Sequence, residues 1–162
     1  MSGPTAAVVL PAPLVPATRD LVVGALFARG WGSPNPHPLP FAMDWAFIDA
    51  GTPEWSSEGA WDETSTANFR QAIGWWPQSE VLLISGPNLP ACHVELAEAC
   101  LLVAELTEGL VNLGGVVQAP DLPGRKYAVA YATAAEATAE FWVVDTTWLR
   151  AWLEAPGFRM VK

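Results

Sequence analysis

The chain is 162 residues long, 51% hydrophobic and 15% charged, which suits one globular domain able to bury about 70% of its unfolded surface. Its net charge of −9 is unevenly spread: between Gly30 and Gly124 twelve acids stand against one base, Arg70, a net −11, while the flanks together hold five acids and seven bases. Such a field repels nucleic acid and anionic membrane and attracts basic partners, and no apolar run approaches the roughly 20 residues needed to cross a bilayer.

Met1 to Val9 shows no positive region leading into an apolar stretch of signal-peptide length, so a cytoplasmic location is expected. The two cysteines, Cys92 and Cys100, fall eight residues apart on one expected helix. That spacing separates them by about 12 Å of rise, too far for a disulfide. Free thiols suit a reducing compartment.

Thr5 to Leu10 reads as a first strand, closed by Pro11 and Pro13. Thr18 is expected to cap a helix running to Arg29, with Gly30 as its stop. Trp31 to Pro40 is proline-rich and reads as a loop. Phe41 to Ile48 alternates, with Phe41, Met43, Trp45 and Phe47 directed to the core and Asp44 to the other side. Gly51 to Glu63 has neither periodicity and reads as a long loop, followed by a short helix, Thr64 to Ile73. Val81 to Ile84 is a continuous apolar run, as in a strand buried on both faces.

The strongest helix signal is Pro90 to Glu108, with Leu96, Cys100, Val103 and Ala104 on one side and Gly109 as its end. On the wheel Glu95, Glu98, Glu105 and Glu108 lie within roughly 140° of one another, an acidic outer face. Val116-Val117 after Gly114-Gly115 reads as a short strand. Lys126 to Ala132 and Ala139 to Val144 form a hairpin, whose first arm alternates Tyr127, Val129 and Tyr131 with alanines. That alanine face is expected to let a helix approach closely. Asp145 can cap a last helix, Thr146 to Glu154. This order predicts an α+β single domain, residues 1–162, with a mostly antiparallel sheet and helices packed on it in modified ferredoxin-like layers.

Chemistry is sparse. With two histidines, His37 and His93, and no His/Cys set at ligand spacing, no metal or other cofactor is expected. Cys92 and His93 are adjacent, and neighbours on a helix diverge by about 100°, so they do not form a nucleophile–base pair. Ser85-Gly86 after a buried strand lacks the glycine two places before the serine that a nucleophile elbow needs. Gly114-Gly115 lacks the lysine and spacing of a phosphate loop. No catalytic residue is expected.

The richest constellation is the segment from Asp49 to Glu63: five acids (Asp49, Glu54, Glu58, Asp62, Glu63), two tryptophans (Trp55, Trp61) and no base. Tryptophan anchors interfaces because it buries much area at small entropic cost, while carboxylates steer and pair with basic side chains. Stacked rings beside negative charge also mimic nucleic acid. The competing structural role is a loop that folds back so that its tryptophans cap the core.

The stretch Asn88 to His93, the helix Val94 to Glu108, the segment Gly109 to Gly115, Val144-Asp145-Thr-Thr-Trp-Leu-Arg-Ala-Trp-Leu153 and Phe158-Arg-Met-Val-Lys162 together resemble an uncharacterised bacterial family associated with polymorphic-toxin immunity proteins. The resemblance covers the last 75 residues, 88 to 162, and transfers no active site. It implies a small cytoplasmic protein that neutralises a cognate toxin by occluding it, the acidity suiting a basic toxin such as a nuclease. Two other readings stay open: a small hydrolase or transferase using a carboxylate with His93 or Ser85, and an adaptor whose partner is not a toxin. Nine tryptophans leave enough apolar surface for a homodimer.

Overall fold

The computed structural model describes residues 3–32, 43–49, 63–132 and 138–161. In chain order these form β1 (Thr5–Leu10), α1 (Pro16–Ala28), β2 (Met43–Asp49), α2 (Glu63–Ile73), β3 (Ser79–Ser85), α3 (Pro90–Thr107), β4 (Leu110–Asn112), β5 (Lys126–Ala132), β6 (Thr138–Val144) and α4 (Thr146–Glu154). The strands make one sheet in the order β2-β3-β1-β4-β6-β5, and every pairing is antiparallel.

The first four positions have a simple origin. The β1-α1-β2 unit leaves a one-strand gap that β3 fills, and β3-α3-β4 leaves a gap that β1 fills. Two interleaved split units of this kind make the ferredoxin-like layer pattern. To it the chain adds α2, inserted between β2 and β3, and the β5-β6 hairpin with α4. The fold is α+β.

Pairing register explains how the core assembles. Phe47, Val81, Val8, Val111 and Val144 stand opposite one another across five strands. Because side chains alternate, this row shares one face with Ala6, Leu10, Met43 and Leu83, and α1, α3 and α4 cover that face with Val22, Leu26, Leu96, Cys100, Val103, Trp148, Leu149 and Trp152. Val9 points the other way, into a smaller cluster with Phe69 of α2, Val129 and Val143.

Four local expectations need correction. Thr18 does not cap α1: the helix begins at Pro16, with Val15 at the cap position and no side-chain cap bond. Proline at the first helical position presents no N–H to satisfy, so the cap is dispensable. The long helix ends at Thr107, and Glu108 turns the chain in the left-handed region, φ 54°. Gly109 is required for space instead, since a Cβ there would sit 2.7 Å from Val8 Cγ1.

Val116-Val117 forms no strand. The segment just past α3, Leu110–Asn112, pairs with β1 at Ala7 to Val9, so sheet position outweighs the β-propensity of the valine pair. Finally, α2 does not rest on the alanines of β5. It covers the opposite, larger face, where Phe69 meets Phe141 at 5.6 Å between ring centroids and Tyr127 and Val129 complete the contact. Burying large rings removes more apolar area from water than burying methyl groups. Asn68 Nδ2 also donates to the Ala130 carbonyl at 2.8 Å, satisfying a backbone acceptor of the strand at the sheet's edge.

Candidate functional site

Of the seven residues expected to bind a partner, Asp49 and Glu63 lie within the described residues. Asp49 ends β2 and forms an ion pair with Arg19 of α1. Arg19 Nε also donates to the Leu14 carbonyl at 3.3 Å, and its guanidinium lies 5.6 Å from the centre of the Phe47 ring. The Asp49 carboxylate thereby ties α1 to the sheet. Glu63 is the first residue of α2. Glu54, Trp55, Glu58, Trp61 and Asp62 lie outside the described residues.

The acidic face of α3 is fully described. Glu98, Glu105 and Glu108 are exposed and Glu95 is half-buried. Burial, and then the neighbouring charge of Glu98, raise the Glu95 pKa above its ordinary value: like charges crowd each other here, and a cation brought alongside would relieve them. Glu98 and Glu105 line a cleft of about 280 Å³ between α1, α3 and α4, floored by Leu101, Leu102 and Leu153 and completed by Glu154, Arg29 and Arg150. Arg150 is ion-paired to Glu105. Sequence reading found the glutamates of α3 from their helical spacing, but not the cleft. Arg29 follows the end of α1 and Arg150 and Glu154 belong to α4, and no local pattern links them.

The other chemistry-bearing residue is His93, in the first turn of α3. The residue is 1% exposed. Nδ1 accepts the Met160 backbone N–H at 3.0 Å, and Nε2 lies 2.8 Å from Asn88 Oδ1. Since Nδ1 is the acceptor, the proton sits on Nε2 and is donated to Asn88. Burial, then the positive charge of Arg159, hold the His93 pKa below its usual value of 6.5. Both ring nitrogens are therefore engaged, in a role that no spacing in the sequence announces. What the sequence did offer were two separate stretches, Asn88 to His93 and Phe158 onward, and His93 joins them.

Ser85 is buried at the end of β3, with its backbone N–H bonded to the Pro4 carbonyl at 3.0 Å. Cys92 and Cys100 are buried thiols; burial pushes the Cys100 thiol up, away from the reactive thiolate. Among the described residues no three His, Cys, Asp or Glu gather where a metal ion could be held, and no helix is long and apolar enough to cross a membrane.

Fold and surface together define a single-domain α+β protein with an acidic outer helix face. The chain belongs to the DUF6368 family, a family of unknown function, which it matches over residues 2–162. The match takes in the N-terminal half as well as the stretches from Asn88 onward. Comparison with curated proteins and with solved structures gave no match.

Proposed function

We propose that this chain is an immunity-type protein of the bacterial cytoplasm, which binds a cognate basic toxin, such as a nuclease, and neutralises it by occlusion. The observation that supports this reading most is the concentration of negative charge. Twelve acids and one base occupy Gly30 to Gly124, and α3 presents Glu98 and Glu105 to solvent beside the crowded Glu95, with exposed Glu108 just past the helix end. Exposed carboxylates at this density destabilise one another and are relieved by a cationic surface. The acidic segment Asp49 to Glu63, with Trp55 and Trp61 as anchors, supplies the second half of the interface.

Expression together with the C-terminal domain of a large secreted protein encoded immediately upstream tests the reading. The chain should restore growth against that domain and form a stoichiometric complex with it. Changing Glu54, Glu58, Asp62 and Glu63 to their amides should slow association and flatten its salt dependence, because steering acts on the on-rate and is screened within about 10 Å at 0.1 M salt. Trp55→Ala or Trp61→Ala should speed dissociation. A gene neighbourhood without such a toxin, or a toxin whose lethality the chain leaves unchanged, overturns the proposal.

A further inference from the structure

The stretch Phe158 to Val161 has no regular secondary structure, yet Met160 is 3% exposed. It lies across the molecule as a strap. Phe158 packs against Trp152 of α4, 5.7 Å between ring centroids, and the Trp152 indole N–H donates to the Arg159 carbonyl at 3.3 Å. At the far end a Cβ on Gly115 would lie 2.9 Å from Val161 Cγ1. Between these apolar contacts the buried Met160 N–H donates to His93 Nδ1.

That bond has a chemical condition. An imidazole nitrogen accepts a hydrogen bond only while its lone pair is free, and protonation turns both nitrogens into donors. Nε2–H is already committed to Asn88. A second proton could go only on Nδ1, where it would point at the Met160 N–H and leave two donors facing each other in a site closed to water. We propose that His93 is a pH-sensitive latch: neutral, it holds the Phe158–Val161 strap against the start of α3, and on protonation it lets the strap go.

The surroundings set the direction of the switch. Arg159, on the strap itself, is the charge that acts on the ring; the loop before α3 brings the neutral amide of Asn88, and α3 and α4 bring no other charge that acts on it. The ring also stands at the positive end of the α3 dipole, which disfavours a further cation. Burial and Arg159 lower the proton affinity of the closed state below the ordinary 6.5, whereas in the open state the ring meets water and returns to that value. The latch is therefore fully engaged above about pH 6.5. Below it the open state takes up a proton that the closed state refuses, so opening grows about tenfold per pH unit until the closed form titrates as well. Opening bares the Trp152 ring and the N-terminal turn of α3, so the protein presents a different surface in acid.

Amide hydrogen exchange between about pH 7.5 and pH 5, corrected for intrinsic rates, tests the latch. The Met160 and Val161 amides should lose protection across that range, while Val8 and Val81 in the sheet keep theirs. His93→Asn places an amide oxygen near the Nδ1 position, an acceptor that does not titrate, and should make strap protection independent of pH. Strap protection that is flat with pH in the wild-type chain, or that falls equally in His93→Asn, overturns the proposal. So does loss of the sheet amides in the same step. If His93→Asn does not fold, the His93 Cε1–H chemical shift of the wild-type chain decides. Its titration must have a midpoint below 6.5 and must track the exposure of Met160; a ring that titrates beneath a protected strap refutes the latch.

Discussion

The two faces of the sheet are covered in very different ways. On one, three helices close over a continuous core that runs from Met43 to Met160. On the other, α2 rests on a cluster whose fully buried members are Val9, Phe69, Val129 and Val143. The first face distributes its stability over many interlocked side chains of the sheet and its three helices. The second is held by the packing of Phe69 against Phe141 and its neighbours and by the bond from Asn68 to Ala130. A small, locally held layer of that kind can open as a separate unit.

The largest expected effect lies on the first face. Leu96 is fully buried against the sheet, and Leu96→Asp would place an unpaired charge there, a cost of about 4 kcal/mol or more that abolishes cooperative folding in denaturant melts. A Leu96→Asp chain that still melts cooperatively near the wild-type midpoint would mean that α3 is not the keystone of this core.

Phe69→Ala comes next and sharpens the comparison most. Deleting this buried ring should cost about 3 kcal/mol, and hydrogen exchange should show α2 losing protection while α3 keeps its own. Loss in step by both helices would make the two faces one cooperative unit, contrary to the contrast drawn above.

Asp145 tests a single joint on the first face. Its Oδ1 accepts the Trp148 N–H at 2.8 Å and its Oδ2 accepts the Arg125 N–H at 2.9 Å. Gly124, at φ +99°, makes room for this junction, since a Cβ there would lie 2.6 Å from Asp145 Oδ1. Asp145→Ala should lower stability by about 1–2 kcal/mol in a thermal melt, and Asp145→Asn, which keeps an acceptor for the cap, by less. Equal losses would show that the Arg125 bond, not the helix cap, dominates.

The smallest effect is expected outside both cores. Glu98 is exposed on α3, so Glu98→Lys should change stability by less than about 0.5 kcal/mol, and removing its charge should let the Glu95 pKa fall back toward the ordinary value, which a carboxyl NMR titration reads. A large fall in melting temperature would mean that Glu98 supports the fold and is not a free surface charge.

What the sequence determined by itself was local. Thr5–Leu10, Lys126–Ala132 and Thr146–Glu154 end where their residues say they should, because period-two alternation, flanking prolines and an Asp145 cap act over a few bonds. The split-unit layers were also legible, because strand–helix–strand order leaves few ways to close an antiparallel sheet. The acids of α3 were legible from helical spacing alone. Tertiary structure decided the rest. Which face of β5 receives α2 depended on the area that Phe69, Phe141 and Tyr127 bury together, and a strand's own alternation shows two faces without saying which is covered. Whether Leu110–Asn112 or Val116-Val117 joined the sheet depended on where β1 offered free pairing. Asp49 became a partner of Arg19 across thirty residues of chain, and His93 a partner of Met160 across sixty-seven. Such pairings form only when packing brings remote segments within about 3 Å, a distance that no local pattern encodes.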